Sequence, residues 1–95
     1  MSSEYEFVFS PEKNARLKTE RNISFEEIIA YIEDKQIIES VDHPDQDKYP
    51  GQKMYLVDVE GYVFVVPYER KGREVILKTI YPSRKATKQY KKEEK

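Results

Sequence analysis

The residues of this chain best suited to chemistry are cations and tyrosines near its C-terminus. Four basic side chains lie close together in that segment, at Lys78, Arg84, Lys85 and Lys88. Arginine grips a phosphate through two parallel hydrogen bonds, whereas lysine acts as a mobile point charge. Tyrosine rings, here Tyr81 and Tyr90, can stack on an unpaired base or carry a proton. The pattern therefore favours a binding site for a polyanion.

The distribution of charge sets this basic segment apart from the rest of the chain. Residues 1–60 hold 7 Lys or Arg and 14 Asp or Glu, a net charge of −7. Residues 61–95 hold 10 and 4, a net charge of +6. Such asymmetry suggests an anionic partner for the second half. An alternative stays open, because the acidic half can also pack against the basic half and neutralise it.

Length and composition indicate one small domain with a thin core. The chain has 95 residues, of which 38% are apolar, 37% charged and 13% aromatic. The apolar share lies below the usual range of about 45–50%, and the charged share above about 25%. We expect a single domain over residues 1–90 and a disordered tail over residues 91–95.

Absent residue types exclude several classes of function. The chain has no cysteine, which excludes disulfides, thiol catalysis and cysteine-based metal sites. No apolar run approaches the roughly 20 residues that span a bilayer. The N-terminus also lacks the basic and apolar regions of a signal peptide. We therefore expect a cytoplasmic protein with no membrane partner.

Two helices are predicted in the first half of the chain. Ser10 suits an N-cap, and the proline after it suits the first position of a polar helix over Pro11–Arg21. Ser24 and Glu27 form a capping box, in which each side chain bonds the other residue's backbone N–H. Apolar residues at helical spacing then predict a second helix over Phe25–Asp34, with one face on a sheet.

Strands are predicted on both sides of these helices. Aromatic residues alternate with other types from Tyr5 to Phe9, which predicts a short first strand. Three further strands are predicted over Lys53–Val59, Tyr62–Tyr68 and Arg73–Tyr81. Residues 37–41 add at most a brief extended piece, residues 42–52 form a loop, and the tail after residue 81 opens into a short helix. The predicted fold is α+β, with two N-terminal helices on one face of a four-stranded, mostly antiparallel sheet (β-α-α-β-β-β-tail).

Two blocks of sequence carry a resemblance to a known family. The first runs from Phe9-Ser-Pro-Glu-Lys13 to Ile23-Ser-Phe-Glu-Glu27, and the second joins Tyr68-Glu-Arg-Lys-Gly72 to Ser83-Arg-Lys-Ala-Thr87. They resemble the Asp-Pro-x-Lys…Val-Ser-Phe-Glu-Glu pattern, the Glu-Arg-x-Gly turn and the closing Ser-Ala-Arg-Arg-Ala-Thr segment of the BrnT family of bacterial toxins. That family belongs to the wider RelE-like ribonuclease fold. Where it often carries Lys-His-Gly, this chain has Glu20-Arg21-Asn22.

The resemblance implies a type II toxin that cleaves RNA without a metal or other cofactor and so inhibits translation. Such cleavage needs a base, an acid and cations that stabilise charge on the phosphate. The candidate catalytic residues on this basis are Arg70, Lys78, Arg84, Lys85 and Tyr90. Arg84, Lys85 and Arg70 match the family's motifs, whereas the other two are chosen by position alone. The candidate RNA-binding residues are Tyr81, Lys85 and Lys88.

The resemblance also implies partners. These are RNA and a cognate antitoxin, typically a DNA-binding protein, and we allow for a homodimer when the chain is isolated. Two alternatives stay open. The chain is either a non-catalytic RNA- or protein-binding module on the same scaffold, or a structural domain whose basic tail balances its acidic helices.

Two other groups of residues admit both a functional and a structural interpretation. His43, the one histidine, lies between Asp42 and Asp45 and could bind a metal weakly or transfer a proton. No second histidine or cysteine supports it, so we predict no metal site. An aromatic stacking platform could form from Tyr62, Phe64 and Tyr68. A buried central strand explains these aromatic residues more simply.

Overall fold

The computed structural model describes residues 5–91, where three helices surround a mixed β-sheet. The elements, in chain order, are β1 (Glu6–Val8), α1 (Pro11–Arg21), α2 (Phe25–Glu33), β2 (Ile37–Asp42), β3 (Lys53–Val59), β4 (Tyr62–Lys71), β5 (Glu74–Leu77), β6 (Tyr81–Pro82) and α3 (Arg84–Lys91). The predicted α+β class is therefore confirmed. None of these helices is long and apolar enough to cross a membrane.

The sheet has the strand order β1-β5-β4-β3-β2, with β6 paired to the first half of β4. The β1–β5 pair is parallel and the other pairs are antiparallel. The predicted count of four strands was wrong for two reasons. β2 is a full strand along β3, and the predicted last strand is divided into β5 and β6 by residues 78–80.

A β-bulge explains why the sequence underestimated β2. The register of β2 on β3 shifts between Ile37 and Glu39. Such a bulge interrupts the regular alternation of inward and outward side chains. Accordingly, the consecutive residues Ile38 and Glu39 lie on the same side of the sheet, where Ile38 packs near α3 and Glu39 bonds to Tyr90. A strand with this break does not show the alternation from which strands are predicted.

Local capping defines the first two helices as the sequence predicts. The Ser10 hydroxyl accepts a hydrogen bond from the Lys13 N–H at 3.2 Å, and α1 ends at Asn22 in the left-handed conformation, with φ 57°. The capping box of Ser24 and Glu27 is complete at the start of α2. These contacts involve residues three apart in sequence, so short segments encode them.

The first face of the sheet, defined as the side covered by α1 and α2, carries the larger core. Helix residues in this core include Leu17, Phe25, Ile28 and Ile32. Sheet residues include Val57, Val66, Val75 and Leu77, and Ile80 joins them from the segment between β5 and β6. Both predicted N-terminal helices therefore pack on the same face, as expected.

The second face, on the opposite side, is covered by α3. Its buried residues are Leu56, Val63 and Val65, with Ala86 and Tyr90 of α3 packed against them. The short helix predicted after residue 81 is confirmed. Lys91, expected in the disordered tail, is the last residue of this helix, and residues 92–95 lie outside the described part of the chain.

Candidate nucleic-acid interface

The first turn of α3 is joined to the start of β4 by a compact set of hydrogen bonds. The Ser83 N–H donates to the Val63 carbonyl at 3.0 Å, and the Ser83 hydroxyl accepts from the Ala86 N–H at 3.1 Å. The Thr87 hydroxyl accepts from the Val63 N–H at 2.9 Å and donates to the Ser83 carbonyl at 2.8 Å. Ser83 therefore acts as a cap, while Thr87 extends the ladder of β4 into the helix.

The far end of α3 is held by Tyr90, one of the candidate catalytic residues. Its hydroxyl donates a hydrogen bond to the Glu39 carboxylate on β2. This bond, followed by partial burial and the negative charge of Glu39, raises the pKa of Tyr90 above its ordinary value. Tyr90 therefore lies on the sheet side of α3, protonated at neutral pH, and ties the helix to the sheet.

The outer surface of α3 presents three exposed cations, Arg84, Lys85 and Lys88. We call these residues the basic face. Residues three and four apart on a helix are neighbours, so Lys88 lies beside both Arg84 and Lys85. Within residues 5–91, none of the three side chains takes part in an ion pair or a hydrogen bond. The helix thus places Lys88 on the same surface as Arg84 and Lys85.

Arg70 and Lys78 lie away from the basic face. The Arg70 guanidinium rests over the Tyr5 ring, 4.3 Å from its centroid, near the end of β4. The Lys78 ammonium pairs with the Glu69 carboxylate at 3.4 Å. α3 starts beside Val63, so the seven residues along β4 from there to Arg70 span about 23 Å. The five candidate catalytic residues are therefore not gathered at one point.

Tyr81, a candidate for stacking on RNA, is part of the second-face packing. Its hydroxyl points to the Met54 sulfur at 3.9 Å, and its side chain packs with the small core under α3. Tyr81 also lines an open cleft of about 450 Å³ together with Glu20, Arg21, Phe64 and Pro82. The residue is thus half-buried rather than freely displayed.

Arg21 is a site residue that the sequence did not select. Its Nη1 donates a hydrogen bond to the Ile80 carbonyl at 2.7 Å, which fixes the guanidinium at the cleft. The residues in contact are 59 positions apart in the sequence. The one available signal was the resemblance, since Arg21 stands where the BrnT family often has histidine.

The aromatic residues of β4 have different environments, in agreement with a central strand. Tyr62 is exposed, Phe64 is half-buried and Tyr68 is buried. Tyr68 stacks on Tyr55 with ring centroids 4.0 Å apart, and its hydroxyl hydrogen-bonds that of Ser40 at 2.9 Å. Burial, with a smaller effect of Tyr68, raises the pKa of Tyr55 to about 12. These contacts favour a structural role for Tyr68 over a stacking platform.

His43 belongs to an ordered loop. Its Nδ1 accepts a hydrogen bond from the Asp45 N–H at 3.1 Å, and its ring lies 4.5 Å from that of Tyr49. Among residues 5–91, no group of three or more His, Cys, Asp or Glu side chains is arranged to hold a metal ion. The contacts of His43 thus organise the loop between β2 and β3.

Comparisons with known families, curated proteins and solved structures identify no relative of this chain. The basic face, the nearby cleft and the elements that hold both in place are therefore the features from which a function can be inferred.

Proposed function

We propose that this protein binds RNA through the basic face of α3 and acts as the toxin of a type II toxin–antitoxin pair. The observation that carries the proposal is a helix held on the sheet near both ends, whose three exposed cations form no ion pair with any residue in 5–91. Lys and Arg side chains bind a nucleic-acid backbone by neutralising phosphates and releasing counterions. A rigid helix presents them without the entropy cost of ordering a loose tail.

The placement of the helices disfavours self-neutralisation as an explanation for the charge asymmetry. α2, with a net charge of −3, and α1, with a net charge of +2, cover the first face, whereas α3 covers the second, so the sheet separates the acidic helix from α3. The ion pairs among the described residues are Lys18–Glu26, Lys53–Asp42 and Lys78–Glu69. None of them involves the basic face, which therefore remains available to an external anion.

The toxin assignment is supported by the positions of the side chains in the second resembling block. In the segment Arg84-Lys85-Ala86-Thr87, the first two side chains point outward, Ala86 packs on the second-face core and Thr87 bonds to Val63. One short motif thus provides both an anion-binding surface and its attachment to the sheet. The proposal includes a cytoplasmic location, no cofactor and an antitoxin that neutralises the protein.

The dispersal of the candidate catalytic residues favours a second function, RNA binding without cleavage. Metal-free cleavage requires an acid, a base and cations within hydrogen-bonding reach of one phosphate. Arg70 and Lys78 lie far along β4 from the basic face, and the Tyr90 hydroxyl is engaged by Glu39. A non-catalytic RNA-binding module on this scaffold is therefore the alternative to a nuclease.

A salt titration of RNA binding tests the basic face. Affinity for a labelled single-stranded RNA should fall with added salt. The double variant Arg84→Gln, Lys85→Gln should reduce the slope of log affinity against log salt by about 1.4, because each lost phosphate contact contributes about 0.7. The matched control is Lys13→Gln with Arg16→Gln on α1, which removes the same charges and should bind as the unaltered protein does. Equal binding by both double variants would contradict the assignment.

Induction in cells and recovery of the RNA separate the two functions. Production of the protein alone should arrest growth, and Arg84→Ala with Lys85→Ala should relieve the arrest. Unimpaired arrest by that variant would show that the basic face is not the toxic site. Recovery of the bound RNA intact would favour the binding module, whereas cleavage would establish the nuclease.

A further inference from the structure

The cleft between the end of α1 and β6 has the size and lining of a small-molecule site. Its volume of about 450 Å³ falls in the range of about 300–1,000 Å³ that ligand pockets occupy. Phe64, Tyr81 and Pro82 supply flat or apolar walls, and Glu20 and Arg21 supply the polar groups. Aromatic walls beside one cation and one carboxylate suit a ligand with a ring, an anionic group and hydrogen-bond donors.

Arg21 is the group that would recognise the anion. Its bond to the Ile80 carbonyl uses part of the guanidinium, and no carboxylate lies within ion-pair distance of it among residues 5–91. The remaining N–H groups can therefore form the forked pair of bonds that arginine makes with phosphate. A neighbouring cleft of about 270 Å³ shares Arg21 and Phe64, but two carboxylates, Glu27 and Glu60, line it, so it suits a phosphate less well than the cleft that has Glu20 alone.

The cleft and the basic face are adjacent along the chain. Pro82 lines the cleft, the next residue caps α3, and Arg84 is the first residue of the helix. A strand bound along the basic face would therefore reach the mouth of the cleft at the first turn of α3. We propose that the cleft holds one unstacked nucleotide of that strand, with its base against Phe64 and its phosphate on Arg21.

This inference rests on the proposed function and defines its substrate as single-stranded RNA. A base in a duplex is paired and stacked, so it cannot enter a cleft beside the helix. The Glu20 carboxylate at the same site accepts hydrogen bonds and would suit a ribose hydroxyl or a base amino group. The cleft would thus select an exposed nucleotide over a bare anion.

Titration with small ligands, monitored through the backbone amide signals in NMR, tests the cleft by itself. Uridine 5′-monophosphate should shift the signals of residues 20–22, 64 and 80–82, and should bind at least about tenfold more tightly than ribose 5-phosphate. Phe64→Leu keeps an apolar side chain but removes the ring, so it should abolish that difference. Arg21→Gln should weaken both ligands, whereas Arg16→Gln on α1 should change neither.

The outcomes distinguish this inference from the proposed function. Equal affinity for the nucleotide and for ribose 5-phosphate, or shifts confined to α3, would overturn the nucleotide site even if RNA binds the basic face. Uridine 5′-monophosphate should also bind the cleft of the Arg84→Gln, Lys85→Gln variant, because that variant retains Arg21. Nucleotide binding in the cleft without any RNA binding by the unaltered protein would instead overturn the proposed role of the basic face.

Discussion

The two faces of the sheet are closed by different kinds of interaction. Eleven buried residues form the core between the first face and helices α1 and α2, but only three form the core beneath α3. α3 compensates with hydrogen bonds at its ends, through Ser83, Thr87 and Tyr90. Hydrophobic burial thus dominates the first face, and polar attachment is more prominent on the second.

This contrast indicates which surface of a small domain can carry a binding site. A helix that must bury a wide apolar stripe has little surface left for ligands, as α2 illustrates with Phe25, Ile28 and Ile32. α3 buries mainly Ala86 and Tyr90, so the rest of its circumference is free to carry cations. We therefore expect perturbations of the first face to affect stability and perturbations of the basic face to affect binding.

The largest effect on stability should come from Phe25→Ala on the first face. Phe25 is fully buried and stacks on Phe9, with ring centroids 4.9 Å apart. Removing the ring should cost about 3–5 kcal/mol, because it leaves a cavity in the larger core. Chemical denaturation measures this loss. Tyr62→Thr, at an exposed aromatic, should cost less than about 1 kcal/mol, and a similar loss in both variants would contradict the contrast.

A smaller loss is expected from Asn14→Ala, which breaks the polar link between α1 and α2. The buried Asn14 side chain accepts a hydrogen bond from the Phe25 N–H at 2.7 Å and donates one to the Glu26 carboxylate at 2.8 Å. The substitution leaves a buried N–H without its partner, which costs about 1–3 kcal/mol. Thermal and denaturant unfolding should both show this decrease.

The same variant has a spectroscopic control. The hydrogen bond from Asn14 is the main reason that the pKa of Glu26 lies below its ordinary value. In Asn14→Ala, an NMR titration should therefore find this pKa higher than in the unaltered protein. A group with a lowered pKa stabilises the fold above its ordinary pKa and loses that effect as the pH falls. An unchanged Glu26 titration would show that the link is not formed in solution.

The smallest of these effects, and the most local, should come from Tyr90→Phe on the second face. The variant lacks the hydrogen bond to Glu39, with an expected cost of about 0.5–1.5 kcal/mol. Amide hydrogen exchange should become faster in α3 and remain unchanged in α1 and α2, because the sheet separates them. Uniform acceleration across all three helices would indicate that the two faces open together.

The attachment of α3 should also weaken at alkaline pH. The pKa of Tyr90 is raised in the folded state, so its contribution is complete below the ordinary tyrosine pKa of about 10 and is lost as the pH rises through the folded value. The protection of α3 against exchange, measured relative to the intrinsic rate at each pH, should therefore decrease above about pH 10 in the unaltered protein. Tyr90→Phe has no phenol to ionise there, so it should lack this component.

Elements with strong local signals could be predicted with accurate bounds. α1 and β3 begin and end at the predicted residues, and α2 ends one residue early. The helix bounds are accurate because Ser10, Asn22 and the capping box act within a few positions. The bulge in β2 gave no such signal. The strand predicted over Tyr62–Tyr68 extends to Lys71, because residues 69–71 pair with β5, and the turn is confined to Gly72 and Arg73.

The helix caps, the α+β class and the basic character of the last segment follow from residue types and from contacts between near neighbours. Contacts between distant parts of the chain set the position of α3 and of Arg21. The bonds Val63–Thr87, Glu39–Tyr90 and Arg21–Ile80 join residues 24, 51 and 59 positions apart. Such contacts form only after the strands have assembled, so their geometry is not written in any local pattern. They place α3 on the side of the sheet opposite α1 and α2, and they hold Arg21 at the segment that precedes β6.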